Sequence, residues 1–353
     1  MAKIINFFVG ANSGAGFRNL FDQMVDLEQM YDFILLKGGP GVGKNTFMRE
    51  IGRVMEEAGT SVEYLWCSGD PDSLDGVVLP ELHCAVADAT APHVLEPKYP
   101  AAVDRYLDLG RFYDLTAAKM EAAAVKQHTR AYKAAYNKAY HCFQAARQIE
   151  LEAIGIKKDN FCDERLQKRV SGMIAKEFGK KRVDSGKTTH RFLGGVTHKG
   201  YVWRFDSVDA LCGRVYEFQD TWELAGGAMT RLHHAAVERG LNVIACMAPE
   251  EPGRIEHLLI PELDLAFVTS RPGMEYRKDT GRRIRVDAMT ERKNLKLQTR
   301  MAKALREEGV ANLRHAKAFH DQLEAVYNPY VDFDGVHAVA ALECGRLLCY
   351  LQA

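Results

Sequence analysis

No run of about 18 apolar residues, the length needed to cross a bilayer, occurs in the 353-residue chain. The opening "MAKIINFFVG" also lacks the longer apolar core and small-residue cleavage site of a secretory signal. The expectation is a cytoplasmic protein with no membrane partner. Net charge is missing as well, since 47 Lys and Arg balance 47 Asp and Glu. The global field therefore does not gather polyanions, and with no base-reading motif present nucleic acid is not an expected partner. The eight cysteines contain no C-x-x-C pair, which leaves buried free thiols as the expectation.

What is present is written twice. At an offset of 181 positions, "EEAGTSVEYLWCSGDPDSLDGVVLPELHCAVA" lies over "VERGLNVIACMAPEEPGRIEHLLIPELDLAFV" without a gap. Glu57, Gly59, Val62, Pro71, Pro80, Glu81 and Leu82 recur as Glu238, Gly240, Val243, Pro252, Pro261, Glu262 and Leu263. Upstream, "FVGANSGAGFRNLFD" matches "FLGGVTHKGYVWRFD". Alternating apolar strands, turn residues and helical stretches in each copy imply a parallel sheet covered by helices. Each copy is followed by an Ala-, Lys-, Gln- and Glu-rich run that favours long helices. The boundaries that follow are 1–160 for the first domain with a helical arm over 102–152, 161–190 for a helical and basic linker, and 191–353 for the second domain with C-terminal helices. In the first arm Tyr132, Tyr136 and Tyr140 form a stripe suited to packing on a partner helix.

The chemistry-bearing motif is "KGGPGVGKNT" at 37–46, between the apolar strand "YDFILLK" and a helix closed by Gly59. Gly38, Gly39, Gly41 and Gly43 permit a turn that aims successive N–H groups at a phosphate, Lys44 reaches the terminal phosphates, and the helix dipole adds positive potential. The expected nucleotide-binding residues are Gly39, Pro40, Gly41, Val42, Gly43, Lys44, Asn45 and Thr46. In the second copy these positions read "QDTWELAGGAM", where the lysine and the glycine cradle are gone. The pattern makes the chain α/β, with two tandem P-loop NTPase-like parallel-sheet domains of which only the first keeps its loop. Pro80, Glu81 and Leu82 persist in both copies and read as architecture.

ATP and Mg²⁺ are the expected cofactors. Asp88, ending the strand "CAVAD", is placed like the acidic residue that holds a magnesium water shell, and Asn45 stands where Ser or Thr usually ligates the metal. Asn45 and Asp88 are thus the metal candidates, and nucleotide binding is expected to survive better than hydrolysis. "CSGDPDSLDG" supplies Asp70, Asp72 and Asp75 at the sheet edge where such folds bind ligands. Lys44, Asp70 and Asp72 are the catalytic candidates, with His93 open to either a chemical or a structural role.

Together "LLKGGPGVGKNTFM", "CSGDPDSLDGVVLPEL", "VADATAPHVLEPKYPAAVD" and "IEHLLIPELDLAFVTS" resemble a bacterial family of duplicated P-loop proteins labelled as ATPases or ATP-binding proteins. The resemblance covers nearly the whole chain. It implies the duplicated fold and ATP binding, and it names no physiological substrate. The family's usual Lys-Ser-Thr is replaced here by Lys-Asn-Thr, and its second loop is erased. Three functions follow as expectations: a slow Mg-dependent ATPase or nucleotide-controlled switch, a kinase for a small acceptor with Arg105 or Arg111 reaching it, or a scaffold whose helical arms bind a protein partner.

Overall fold

A computed structural model describes residues 2–278 and 280–352. The first half runs β1 (Ile4–Phe8), β2 (Gly10–Ser13), β3 (Gly16–Asn19), β4 (Asp32–Lys37), α1 (Lys44–Glu57), β5 (Val62–Trp66), β6 (Leu74–Leu79), β7 (Cys84–Asp88), β8 (Asp104–Asp108), α2 (Leu115–Met120), α3 (Ala122–Lys158) and α4 (Asp163–Glu177). The second half repeats this as β9 (Thr188–Arg191), β10 (Gly194–Thr197), β11 (Gly200–Trp203), α5 (Phe205–Leu211), β12 (Arg214–Gln219), α6 (Gly226–Glu238), β13 (Val243–Ala248), β14 (Glu251–Ile260), β15 (Leu265–Ser270), β16 (Arg283–Arg285), α7 (Lys296–Tyr327) and α8 (Phe333–Tyr350).

The duplication is complete at the level of topology. The first sheet has the order β1-β5-β6-β7-β4-β8, and the second, read from its other edge, β9-β13-β14-β15-β12-β16. The two hairpins join through β2 and β10 into a four-stranded sheet between the halves. The P-E-L turn is architectural in both. Glu81 accepts from Ser61 N and Glu262 from Asn242 N, and each turn ends in a left-handed residue, His83 or Asp264. The sheets are mixed, however, because β6 runs antiparallel between β5 and β7, and β14 likewise between β13 and β15. Among the described residues no helix is long and apolar enough to cross a membrane.

The expected boundaries need correction. Residues 102–152 are not one arm, because β8 completes the first sheet beside β4 and the long helix begins at Ala122. Residues 161–190 are not a linker. The helix α4 buries Leu166, Val170, Met173 and Ile174 in the core of the second sheet, and β9 pairs with β13. Conversely α8, at the C-terminus, buries Val336, Ala340, Cys344 and Leu347 against α1 and the first sheet. Each half thus donates its terminal helix to the other half's core.

Between these exchanges α3 and α7 run antiparallel. Glu121 meets Tyr330, Tyr132 meets His320, Phe143 closes on Gly309, and Arg306 pairs with Glu150. Gly309 has a packing reason, since a Cβ there would stand 2.3 Å from the Phe143 ring. At 37 residues α3 is about 55 Å long. The tyrosine stripe faces inward: Tyr132 touches α7, the Tyr136 hydroxyl lies against Gly69, and Tyr140 donates to Asn12. All eight cysteines are free; Cys84, Cys212, Cys246 and Cys344 are buried as expected, whereas Cys162 and Cys349 are exposed.

Candidate functional site

The glycine-rich loop leaves the C-terminal end of β4 between β7 and β8 and opens directly into α1. Gly38, Gly41 and Gly43 have φ of 151°, 76° and 91°, the left-handed region that only glycine enters cheaply. Lys44 folds back over the turn, its ammonium donating to Gly38 O (2.5 Å) and Gly39 O (3.1 Å) and lying 3.6 Å from the Asp88 carboxylate. Asp88 also accepts from Thr90 N, and the Thr90 hydroxyl donates to Gly38 O. Strand end, loop and lysine therefore form one hydrogen-bonded rim, with Thr46 exposed at its edge.

The loop is closed from above by residues that its own sequence does not reveal. The Tyr113 hydroxyl donates to Pro40 O at 2.7 Å, and its ring packs on Tyr327 at the end of α7. With its side-chain amide in the orientation that satisfies both ends, the Asn328 nitrogen donates to Gly41 O at 3.2 Å and to Glu324 O at 3.0 Å. A helix that starts beside the second half thus ends on the first half's loop.

The second half shows what occupies such a turn when the glycines are lost. Asp220 stands at the position of Gly39, and its two carboxylate oxygens accept from Leu224 N and Ala225 N, each at 2.8 Å. At the 181 offset those residues correspond to Gly43 and Lys44; Ala225 is the N-cap of α6, as Gly43 is of α1, and Leu224 precedes it. Burial pushes the Asp220 carboxyl up to about 6, opposed by these two N–H donors. The second half has built an anion into its own cradle, and the first half, with Gly39 there, carries no side chain to fill it.

The other candidates fare unequally. The Asn45 side-chain oxygen accepts from Leu74 N (3.1 Å) and Arg49 Nε (3.2 Å), so it ties α1 to the start of β6 and is engaged within the protein rather than free for a metal. Asp70 accepts from Ser73 Oγ and Asp72 N and lies 3.4 Å from Lys317 of α7, which shapes the loop rather than exposing a base. Asp72 is exposed and paired with Lys199, whose hydrogen bond lowers its carboxyl below the usual range. Arg105 pairs with Glu343 and Asp32, at the opposite end of β4 from the loop, and Arg111 stacks on Phe112. Arg105 therefore lacks the placement expected of an acceptor-binding residue, whereas Arg111 is exposed in the segment 110–112 that packs against Gly38 of the loop. Asp75 is different: it is 3% exposed, and its partners are His93, 3.5 Å away, and the Cys67 thiol. Burial raises both the Asp75 carboxyl and the Cys67 thiol.

A cavity of about 890 Å³ lies at the equivalent edge of the second half, between its loops and the α3–α7 pair. Tyr201, Trp203 and Trp222 line it, and two of its three arginines are already neutralised, Arg271 by Glu256 at 2.7 Å and Arg306 by Glu250 at 2.8 Å, while Arg314 donates to the His198 carbonyl. Behind it His257 is fully buried, and desolvation depresses its ring to about 4 from 6.5. A depressed folded-state value means that this histidine's contribution is present above pH 6.5 and is lost as pH falls toward 4. The midpoint of urea unfolding should drop over that window, by up to about 3 kcal/mol in stability. His257→Asn, which keeps an acceptor for Thr269 N, should flatten the drop; an unchanged slope would refute the assignment.

Comparison with family models, with curated proteins and with solved structures finds no match to this chain.

Proposed function

We propose that the first half binds ATP with Mg²⁺, its phosphates on the N–H groups of the glycine-rich loop and Lys44, and that the second half is a non-binding partner which senses occupancy through α7. The observation that carries this reading is Asp220. In the second half a carboxylate accepts from two N–H groups at the start of α6, and the first half has Gly39 at its position, which supplies no such built-in anion. Asp88 is the metal-side acid, adjacent to the lysine that would move onto the phosphates. Asn328 and Tyr113 hold loop carbonyls, so nucleotide entry that shifts the loop is felt at the end of α7.

Slow hydrolysis is favoured over transfer to an acceptor, because Arg105 is committed to Glu343 and Asp32. Incubation of the full chain with labelled ATP and Mg²⁺ tests this: slow release of labelled phosphate is the expected outcome. Label appearing on an added metabolite pool would favour the kinase reading, and no retention of nucleotide would refute both. Asn45→Ser is expected to raise magnesium-dependent turnover by restoring a metal-ligating hydroxyl. The same change should cost about 1 kcal/mol of stability through loss of the bond from Leu74 N. A turnover rate that stays equal or falls would count against a metal position at 45.

A further inference from the structure

Cys67, Asp75 and His93 come from three separate segments and converge on one buried point. Cys67 directly follows β5, Asp75 lies in β6 and His93 lies in the loop after β7. The pairing of β5 with β6 shifts register at Leu65/Trp66, so that Leu65 faces Gly76 and Trp66 faces Leu74. Asp75 is the extra residue, and a bulge of this kind re-aims a side chain. The His93 ring is fixed between Phe21, 4.4 Å away, and Phe17, 5.3 Å away. One thiol, one carboxylate oxygen and one ring nitrogen lie within 4.8 Å of one another. His93 Nε2 and Asp75 Oδ1 are 3.5 Å apart, inside the roughly 3.3–3.8 Å edge that ligands at zinc bond lengths make around a tetrahedral ion.

Two observations separate this cluster from an ordinary buried polar group. Asp75 Oδ2 is buried with no hydrogen-bond partner, a costly arrangement for a side chain exposed only 3%. The second half then supplies a control. There Cys67, Asp75 and His93 are replaced by Ala248, Glu256 and Met274, and Met274 N repeats the turn of His93 by donating to Arg271 O as His93 N donates to Thr90 O. Where the thiol and imidazole are gone, the carboxylate of Glu256 has its own cation, Arg271 at 2.7 Å. Where they are kept, Thr90 takes the position of Arg271, and among the described residues no lysine or arginine pairs with Asp75. The first half has the carboxylate and two further ligands but not the cation.

We propose that Cys67 Sγ, Asp75 and His93 bind a divalent transition metal of the zinc class, with the fourth coordination position open. Mixed sulfur, nitrogen and oxygen donors suit zinc and disfavour magnesium or calcium, which take oxygen alone. Three protein ligands with an open position is the composition of sites that activate water rather than of closed structural ones. Asp75 lies one residue beyond the Gly76–Ala87 pair, level with Asp88, so the metal would share a sheet edge with the glycine-rich loop. Metal binding here is independent of whether nucleotide binds.

The test uses the full chain without nucleotide. Protein loaded with Zn²⁺ and dialysed into metal-free buffer should retain about one zinc per chain by elemental analysis. Cobalt in its place should give a thiolate-to-metal charge-transfer band and intense four-coordinate visible bands. Cys67→Ser and His93→Ala should each lower retained zinc at least tenfold with unchanged far-ultraviolet circular dichroism, while the exposed-cysteine variant Cys162→Ser keeps it. The wild-type cobalt spectrum decides the matter if a variant fails to fold. A spectrum without the thiolate band, or zinc retained equally by Cys67→Ser, would overturn the proposal.

Discussion

Lys44→Ala is expected to weaken ATP binding at least about 30-fold while leaving the fold intact. Removing one member of a desolvated charge pair costs about 2–5 kcal/mol, which corresponds to roughly 30- to 5,000-fold in Kd. The Lys44 side chain is 13% exposed, and its ammonium is held by two loop carbonyls and Asp88, so water does not screen it as it would a surface lysine. The fold should tolerate the change because the residue opens α1 rather than filling its core, which is built from Phe47, Met48, Ile51 and Met55. Fluorescence titration with an ATP analogue, beside a thermal melt of each protein, measures both quantities. Equal affinity of wild type and variant would remove the loop from the site altogether.

A second large effect is expected from a deletion far from the first half in sequence. Ending the chain after Tyr330 removes α8, which covers α1 with Val336, Ala340, Cys344 and Leu347, each no more than 5% exposed. Burial of a Val or Leu side chain stabilises by about 1.5–3 kcal/mol each, so uncovering this face removes an amount comparable with the whole stability of a domain, about 5–15 kcal/mol. The loss should be local. Amide protection should collapse in α1 and β4 of the first half, while β12 and β15 of the second, covered by α4, keep theirs. Uniform loss across both halves would contradict the reciprocal exchange of helices.

That exchange was beyond the reach of the sequence for a physical reason. The pattern of α4 shows an apolar face through Leu166, Val170, Met173 and Ile174, but amphipathicity does not say which sheet the face covers. Hence 161–190 reads as a linker. The glycine-rich loop, by contrast, is legible because strand, glycines, lysine and helix are contiguous and each imposes a local conformation. The erased second loop is legible as a loss, yet the role of Asp220 depends on its carboxylate folding onto the N–H groups of Leu224 and Ala225, a contact four and five residues away inside a turn of unknown shape. An acid at the position of Gly39 was the available signal. His93 reads as lacking a counterpart until the turn of Met274 is seen, and Asn45 reads as a metal ligand until Leu74 N is found on its oxygen. Cys67 passes as one more buried thiol because its partners are brought to it by a bulge and a loop.

The two loops of one chain make opposite claims about nucleotide, and stoichiometry tests them together. Calorimetric titration of the full chain with ATP and Mg²⁺ should give one site per chain, weakened at least about 30-fold by Lys44→Ala and untouched by Asp220→Asn. Two sites per chain, or one site of unchanged affinity without Lys44, would contradict the account.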